Sequence, residues 1–162
     1  MRKYLRLNWK SLMPTRLRDT ELRAWQALIH AHHDVTRRLE DELKGEFGLS
    51  MADYDVLLRL ARAGDGALRM TQLAERVLMS PSGLTRVVDR LVGEGLVRRE
   101  RMKDDARAML VRLTERGRKR LRRAAGTHLR GIRQHFSGRL KDSQLRQVAS
   151  ALEVITGPHQ PH

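Results

Sequence analysis

Ser82, Thr85, Arg86 and Arg90 recur at spacings that line two hydroxyls and two guanidinium groups along one face of a helix. Hydroxyls both donate and accept hydrogen bonds, and a guanidinium offers a planar fork of donors. This set matches phosphate oxygens and the exposed edges of bases. It does not match an activated nucleophile. The chain carries no nucleophile-elbow, Walker-type, metal-protease or dinucleotide motif. The adjacent carboxylates Asp104 and Asp105 fall in a polar turn, a poor place to tune acid–base chemistry. No enzyme and no cofactor are expected.

The elements that must position these groups follow from capping and period. Ser80 is an N-cap candidate, and Pro81 fits the first helical position, where a missing N–H costs nothing. Leu84, Val87, Val88 and Leu91 form the opposite, apolar face. Gly93 and Gly95 close the helix, and LVRRE opens a strand. The alternation of Met109, Val111 and Leu113 with Leu110 and Arg112 predicts a second strand. A basic hairpin therefore spans roughly 96–100 and 107–113, turning at Lys103, Asp104 and Asp105. Ahead of Ser80, MTQLAERVLM predicts a short helix from Thr71, with Leu73, Ala74, Val77 and Leu78 apolar. Two helices joined this tightly, the second polar on its free face, form a helix-turn-helix. Thr71 and Gln72 open the earlier helix, where side chains and free N–H groups can hold a phosphate. Leu68 and Arg69 are candidates for a short edge strand.

Charge supports a polyanionic partner. The 162 residues carry a formal net charge of +14. Residues 1–18 hold six Lys/Arg and no acid, and residues 96–123 hold twelve against four. A charge run is often only a solvated face, but the second coincides with the hairpin and the helix after it, as a polyanion footprint would. The first leaves three readings open: a disordered basic arm, a membrane-surface segment or an ordered extension. No apolar run reaches the ~18 residues of a membrane span, and the basic N-terminus lacks the apolar stretch of a secretory signal. The absence of cysteine excludes disulfides, thiol redox sensing and cysteine metal sites. A cytoplasmic, nucleoid-associated location is expected.

Flanking helices complete the chain. The first runs from a cap at Asp19 or Thr20 to about Lys44, where Gly45 and Gly48 are expected to break it. Its stripe of Leu22, Trp25, Ile29, His32, Thr36, Leu39 and Leu43, widened by Leu28 and Val35, is longer than one small domain can cover. A second subunit is the natural cover. Ser50 caps the next helix, with Asp53 three residues on and Tyr54, Leu57, Leu58, Leu60 and Ala61 facing inward. Thr114 caps a helix from about Glu115 to Phe136 carrying Leu121, Ala124, Ala125, His128, Leu129 and Ile132, and Asp142 caps a last one with Leu145, Val148, Leu152 and Ile155. The predicted fold is mainly α with a small β-wing, a winged helix-turn-helix with N- and C-terminal dimerisation helices. Its parts are a basic arm (1–18), an N-terminal helix (19–49), the DNA-binding domain (50–113), C-terminal dimerisation helices (114–156) and a tail (157–162).

In element order and spacing, residues 19–156 resemble the MarR family, dimeric winged helix-turn-helix transcription regulators of bacteria. The resemblance is sharpest in LAERVLMSPSGLTRVVDRLVGEGLVRRE and DDARAMLVRLTERGR. Asp105, Arg107, Leu113, Thr114 and Gly117 occupy the family's wing pattern, in which Asp-x-Arg precedes the strand and Leu-Thr-x-x-Gly opens the next helix. Ala106 departs from it, since many members carry a further basic residue there. The resemblance implies that Arg107, on the wing tip, enters the minor groove, and that Asp105 orients it. Ser82, Thr85 and Arg86 are expected in the major groove, with Arg86 the base reader, Ser82 and Thr85 equally able to donate to phosphates, and Ser80 a further DNA-contact candidate. Arg90, Arg98, Arg99 and Lys103 are phosphate candidates. A symmetric dimer predicts a pseudo-palindromic operator.

The resemblance also implies a pocket for a small aromatic or anionic ligand whose binding lowers DNA affinity, so that the chain is expected to be a repressor. Trp25, His32, Tyr54 and Asp55 are its candidate lining, although each has a plain packing or capping role as an alternative. A urate-responsive branch places an acid where Asp55 stands, arginines where Arg86 and Arg98 stand, and a Trp of which Trp9 is the rough counterpart. His30 and Asp34 have the i, i+4 spacing of a metal pair, but His30, His32, His33 and Asp34 gain no third ligand from sequence, and no metal is expected. The alternative function is a constitutive architectural DNA binder without a ligand pocket.

Overall fold

Residues 17–77, 79–101 and 109–157 are described by a computed structural model of the chain. They fall into two units, one ending at Asp34 and one beginning at Val35. The elements run α1 (Asp19–Phe47), α2 (Met51–Arg62), β1 (Ala67–Arg69), α3 (Met70–Arg76), α4 (Pro81–Gly93), β2 (Val97–Arg101), β3 (Met109–Leu113), α5 (Glu115–His135), a single 3-10 turn (Ser137–Arg139) and α6 (Asp142–Thr156). The predicted mainly α architecture with a small wing is the one observed. No helix among the described residues is long and apolar enough to cross a membrane.

Local chemistry sets most boundaries. Ser50 and Asp53 form a reciprocal capping box: Ser50 Oγ accepts from Asp53 N at 3.1 Å, and Asp53 Oδ2 accepts from Ser50 N at 2.8 Å. Ser80 Oγ accepts from Gly83 N at 3.2 Å, with Pro81 in the first helical position. Thr114 Oγ1 accepts from Gly117 N at 3.0 Å. Two expected boundaries move. Gly45 does not break α1, which stays helical to Phe47 and stops only where Gly48 takes φ +66 and donates its N–H to Lys44 O. Asp142 is not the cap of α6. Lys141 holds that position, its N–H donated to the Gln144 side chain at 2.9 Å. The helix from Thr71 is also shorter than expected, ending at Arg76 with Val77 already extended.

The second unit is built around α2. Val56, Leu57 and Leu60 are wholly buried against Leu73 of α3, Leu84, Val88 and Leu91 of α4, and Val111 of β3. Each such side chain contributes about 1.5–3 kcal/mol by leaving water. Inward-facing Val56 lies outside the predicted stripe of α2, because that helix is covered on more than one side. The sheet is antiparallel in the order β1-β3-β2, with Leu68 opposite Val111 and Val97 opposite Leu113. The Leu68–Arg69 edge strand is present, lengthened by Ala67.

Helix α5 leaves the wing at a close crossing. A Cβ on Gly117 would lie 2.0 Å from Leu96 O, so only glycine lets α5 start against the backbone that opens β2. Further along, Thr127 Oγ1 donates to Glu46 at 2.8 Å, and His135 Nε2 lies 2.6 Å from Glu42, tying α5 to the last turns of α1. Leu129 is 65% exposed in the single chain. Of the predicted stripe of α1 only Leu39 and Leu43 are buried; Leu22, Trp25, Leu28 and Ile29 are exposed. No residue of α6 is buried, and Val154 and Ile155 stand 86% and 75% exposed.

Candidate nucleic-acid interface

Helix α4 divides cleanly between its two faces. Leu84, Val87, Val88 and Leu91 are buried, while Ser82, Thr85, Arg86, Asp89 and Arg90 are exposed. Thr85 Oγ1 donates to Pro81 O at 3.0 Å and Ser82 Oγ lies 3.3 Å from Ser80 Oγ, so both hydroxyls are held near the helix N-terminus. There the free N–H groups of the first turn favour a negative group. Thr71 and Gln72 are likewise exposed at the start of α3, where Gln72 Oε1 accepts from Arg69 N at 3.0 Å.

The arginines of this surface are of two kinds. Several are neutralised within the fold. Arg90 Nε and Nη2 donate to Asp53 Oδ1 at 3.1 and 2.5 Å, and Nη2 also reaches Ser50 Oγ at 3.3 Å. Arg98 Nε donates to Glu100 at 2.6 Å, and Arg112 Nε meets the other oxygen of that carboxylate at 2.8 Å. These two arginines, Arg112 first, hold the Glu100 carboxyl below its ordinary range. Arg99 pairs with Asp89 of α4 at 2.6 Å. Arg86, by contrast, forms no ion pair among the described residues, and neither do Arg69, Arg76 and Arg101. All four side chains belong to exposed residues.

The expected site residues are thus only partly assembled. Ser80, Ser82, Thr85 and Arg86 share the first turns of α4, as expected. Arg90 and Arg98 already have carboxylate partners. Lys103, Asp105 and Arg107, with Asp104 and Ala106, lie outside the described residues, as do Leu78, Trp9 and most of the tail. Sequence reading missed Arg69, Arg76 and Arg101 as free cations. Their places in β1, α3 and β2 do not reveal that they lack acidic partners among the described residues. It also treated Asp53 only as a cap.

The candidate ligand residues divide between the two units. Trp25 is 58% exposed, and His32 is exposed on the same part of α1. Tyr54 and Asp55 belong to α2. Tyr54 is buried, and its ring lies 4.4 Å from that of His128 on α5, tilted by 38°. Burial pushes the Tyr54 phenol up and the His128 imidazole down from their ordinary values. His128 Nδ1 is buried with no hydrogen-bond partner among the described residues. Asp55 takes a hydrogen bond from Arg59 Nε at 3.2 Å.

Two helices in tight succession, the second polar outward, followed by a hairpin that completes a three-stranded antiparallel sheet with the strand ahead of them, define a winged helix-turn-helix protein. The MarR family pattern matches residues 47–108. The crystal structure of AbsC, a MarR family transcriptional regulator from Streptomyces coelicolor, is 34% identical with a TM-score of 0.81, covering 88% of this chain and 95% of AbsC. Sco3205 from the same organism, also a MarR family regulator and solved in complex with DNA, is 31% identical with a TM-score of 0.83, covering 91% and 93%. The transcriptional repressor YetL of Bacillus subtilis is 25% identical over 129 residues, 76% of this chain and 77% of YetL. The chain belongs to the MarR family of DNA-binding transcriptional regulators.

Proposed function

We propose that this regulator is a homodimeric repressor that binds a pseudo-palindromic operator through α4 and the wing, and that a small aromatic or anionic ligand lowers its DNA affinity. The observation that carries the reading is Arg86: it is an exposed guanidinium without an ion pair among the described residues, on the free face of α4 beside Ser82 and Thr85, while neighbouring arginines are neutralised. A bidentate Arg–guanine contact contributes about 1–3 kcal/mol of discrimination. Ser80, Thr71 and Gln72 serve as phosphate anchors. Lys103 and Arg107 contact the backbone and minor groove from the wing, with Asp105 orienting Arg107.

The homodimer accounts for apolar surface that one chain leaves open. Leu22, Trp25, Leu28 and Ile29 of α1, and separately Leu129, Val154 and Ile155, are exposed in the single chain. Light scattering is expected to return twice the chain mass. For the ligand, Tyr54, whose ring packs on His128, and Asp55, paired with Arg59, are the candidate contacts on α2. The test begins with selection of bound duplexes from a random DNA pool. Arg86→Ala is expected to weaken binding to the selected site about 10- to 100-fold with the dimer intact. Unchanged affinity refutes the assignment. A panel of small aromatic acids then separates the repressor from a constitutive architectural binder: the former releases its site with at least one of them, the latter with none.

A further inference from the structure

Asp53 is held more tightly than a helix cap requires. Its side chain is only 3% exposed, and both carboxylate oxygens are fully engaged. Oδ2 accepts from Ser50 N and from Ser50 Oγ at 2.8 and 2.7 Å, which completes the capping box. Oδ1 takes no part in that box and accepts from Arg90 Nε and Nη2, from a residue 37 positions later in the chain. A capping box needs one acceptor oxygen and no full charge. A buried negative charge without a cation would be costly, so the second oxygen has a purpose only through Arg90.

We propose that Asp53 is a positioning residue for operator recognition: from the N-terminus of α2 it clamps Arg90 and so sets the rotation at which α4 presents Ser82, Thr85 and Arg86. This rests on the reading of α4 as the recognition helix. Apart from the contacts of Arg90 to Asp53 and to the cap Ser50, the packing of α4 on α2 is aliphatic, through Leu84, Val87, Val88 and Leu91, and aliphatic contact has no preferred direction. The other ion pair from α4, Asp89 to Arg99, is more exposed and points to β2 rather than α2. Rolling a helix by about 20° carries a side-chain tip, about 6 Å from the axis, through about 2 Å. Productive geometry tolerates about 0.5 Å. A charged clamp four residues from Arg86 removes that freedom. It also withholds the Arg90 cation from phosphate, so it favours base reading over unspecific attraction.

Asp53→Asn tests this, because it keeps the shape and an acceptor for Ser50 but removes the charge facing Arg90. The readout is the ratio of affinities for a duplex selected by the parent protein and for a random duplex, measured well below the melting temperature. The ratio is expected to fall about 10- to 100-fold, while random-duplex affinity stays within about threefold and its salt slope steepens by up to about 0.9 as Arg90 becomes available to phosphate. Leu60→Ala, which weakens the same helix through the core, is expected to leave the ratio unchanged. An unchanged ratio in Asp53→Asn, or an equal fall in Leu60→Ala, overturns the proposal. If Asp53→Asn does not fold, the neutral pair Asp53→Asn with Arg90→Gln is held to the ratio criterion alone, since it has no Arg90 cation to release. Arg86→Ala in parallel keeps the two readings apart: retained discrimination there refutes the role of α4, whereas loss there with an unchanged Asp53→Asn ratio refutes only the clamp.

Discussion

Replacing Gly117 by alanine pits two opposed effects against each other, and the structure decides which is larger. Alanine in place of glycine within a helix gains about 1 kcal/mol of propensity. The added Cβ, however, would lie 2.0 Å from Leu96 O and 2.8 Å from Leu113 Cδ1. An ordinary carbon–oxygen contact is about 3.3 Å or longer, so α5 and the start of β2 must part by about 1.3 Å. That movement pulls on a dense knot of hydrogen bonds. Leu96 O accepts from Thr114 N at 3.1 Å and from Thr114 Oγ1 at 3.0 Å, and Thr114 Oγ1 accepts from Gly117 N at 3.0 Å. Losing one or two of them costs about 1 kcal/mol each, with about 1–3 kcal/mol more for overpacking. Net destabilisation of about 3 kcal/mol is expected, or a melting temperature lower by roughly 10 °C. Urea unfolding at fixed protein concentration measures it. Gly126→Ala on the same helix is the control, because its Cβ would meet only the flexible tip of Arg130, at 3.5 Å. It should gain up to about 1 kcal/mol. A Gly117→Ala protein as stable as the parent would refute the reasoning.

Other perturbations follow the same logic. Thr114→Ala removes a cap and two bonds to carbonyls of the wing base, and should cost about 1–2 kcal/mol in chemical unfolding, most of it recovered by Thr114→Ser. Burial holds His128 below its ordinary pKa of 6.5, Tyr54 packs against its ring, and Glu42 opposes the shift. As pH falls below about 6.5 the unfolded chain takes the proton first, so stability is full above that value and is lost toward the lower folded-state pKa. His128→Phe, which cannot be protonated, should lose less melting temperature than the parent between pH 7.5 and 5.5; equal losses count against burial as the cause. Glu100→Gln removes the carboxylate shared by Arg98 and Arg112, of which Arg112 keeps its contacts to Asp65. Random-duplex affinity should rise and its salt slope steepen by up to about 0.9 per newly contacted phosphate, as measured by anisotropy across a salt series. An unaltered slope would mean that neither arginine reaches DNA.

Much of this arrangement was legible locally. Ser80 with Pro81, Ser50 with Asp53, and Thr114 with Gly117 announce three helix starts, because a cap and its partner lie within three residues of each other. The face of α4 was legible for the same reason: a helical period places Leu84, Val87, Val88 and Leu91 opposite Arg86 whatever surrounds them. Gly45 misled because glycine weakens a helix without ending it, and α1 ends only where Gly48 adopts a positive φ.

Tertiary structure alone decided which charges are spent. Arg86 and Arg90 look alike in sequence, four residues apart on one helix. Only the packing of α2 against α4 brings the Asp53 carboxylate to Arg90, and no carboxylate among the described residues reaches Arg86. It likewise exposed Leu129 and explained Gly117 by the Leu96 carbonyl lying across it. The physical division is one of range. Capping and amphipathic period act within a turn or two of the chain, whereas an ion pair spanning 37 residues depends on how helices dock, which no local pattern encodes.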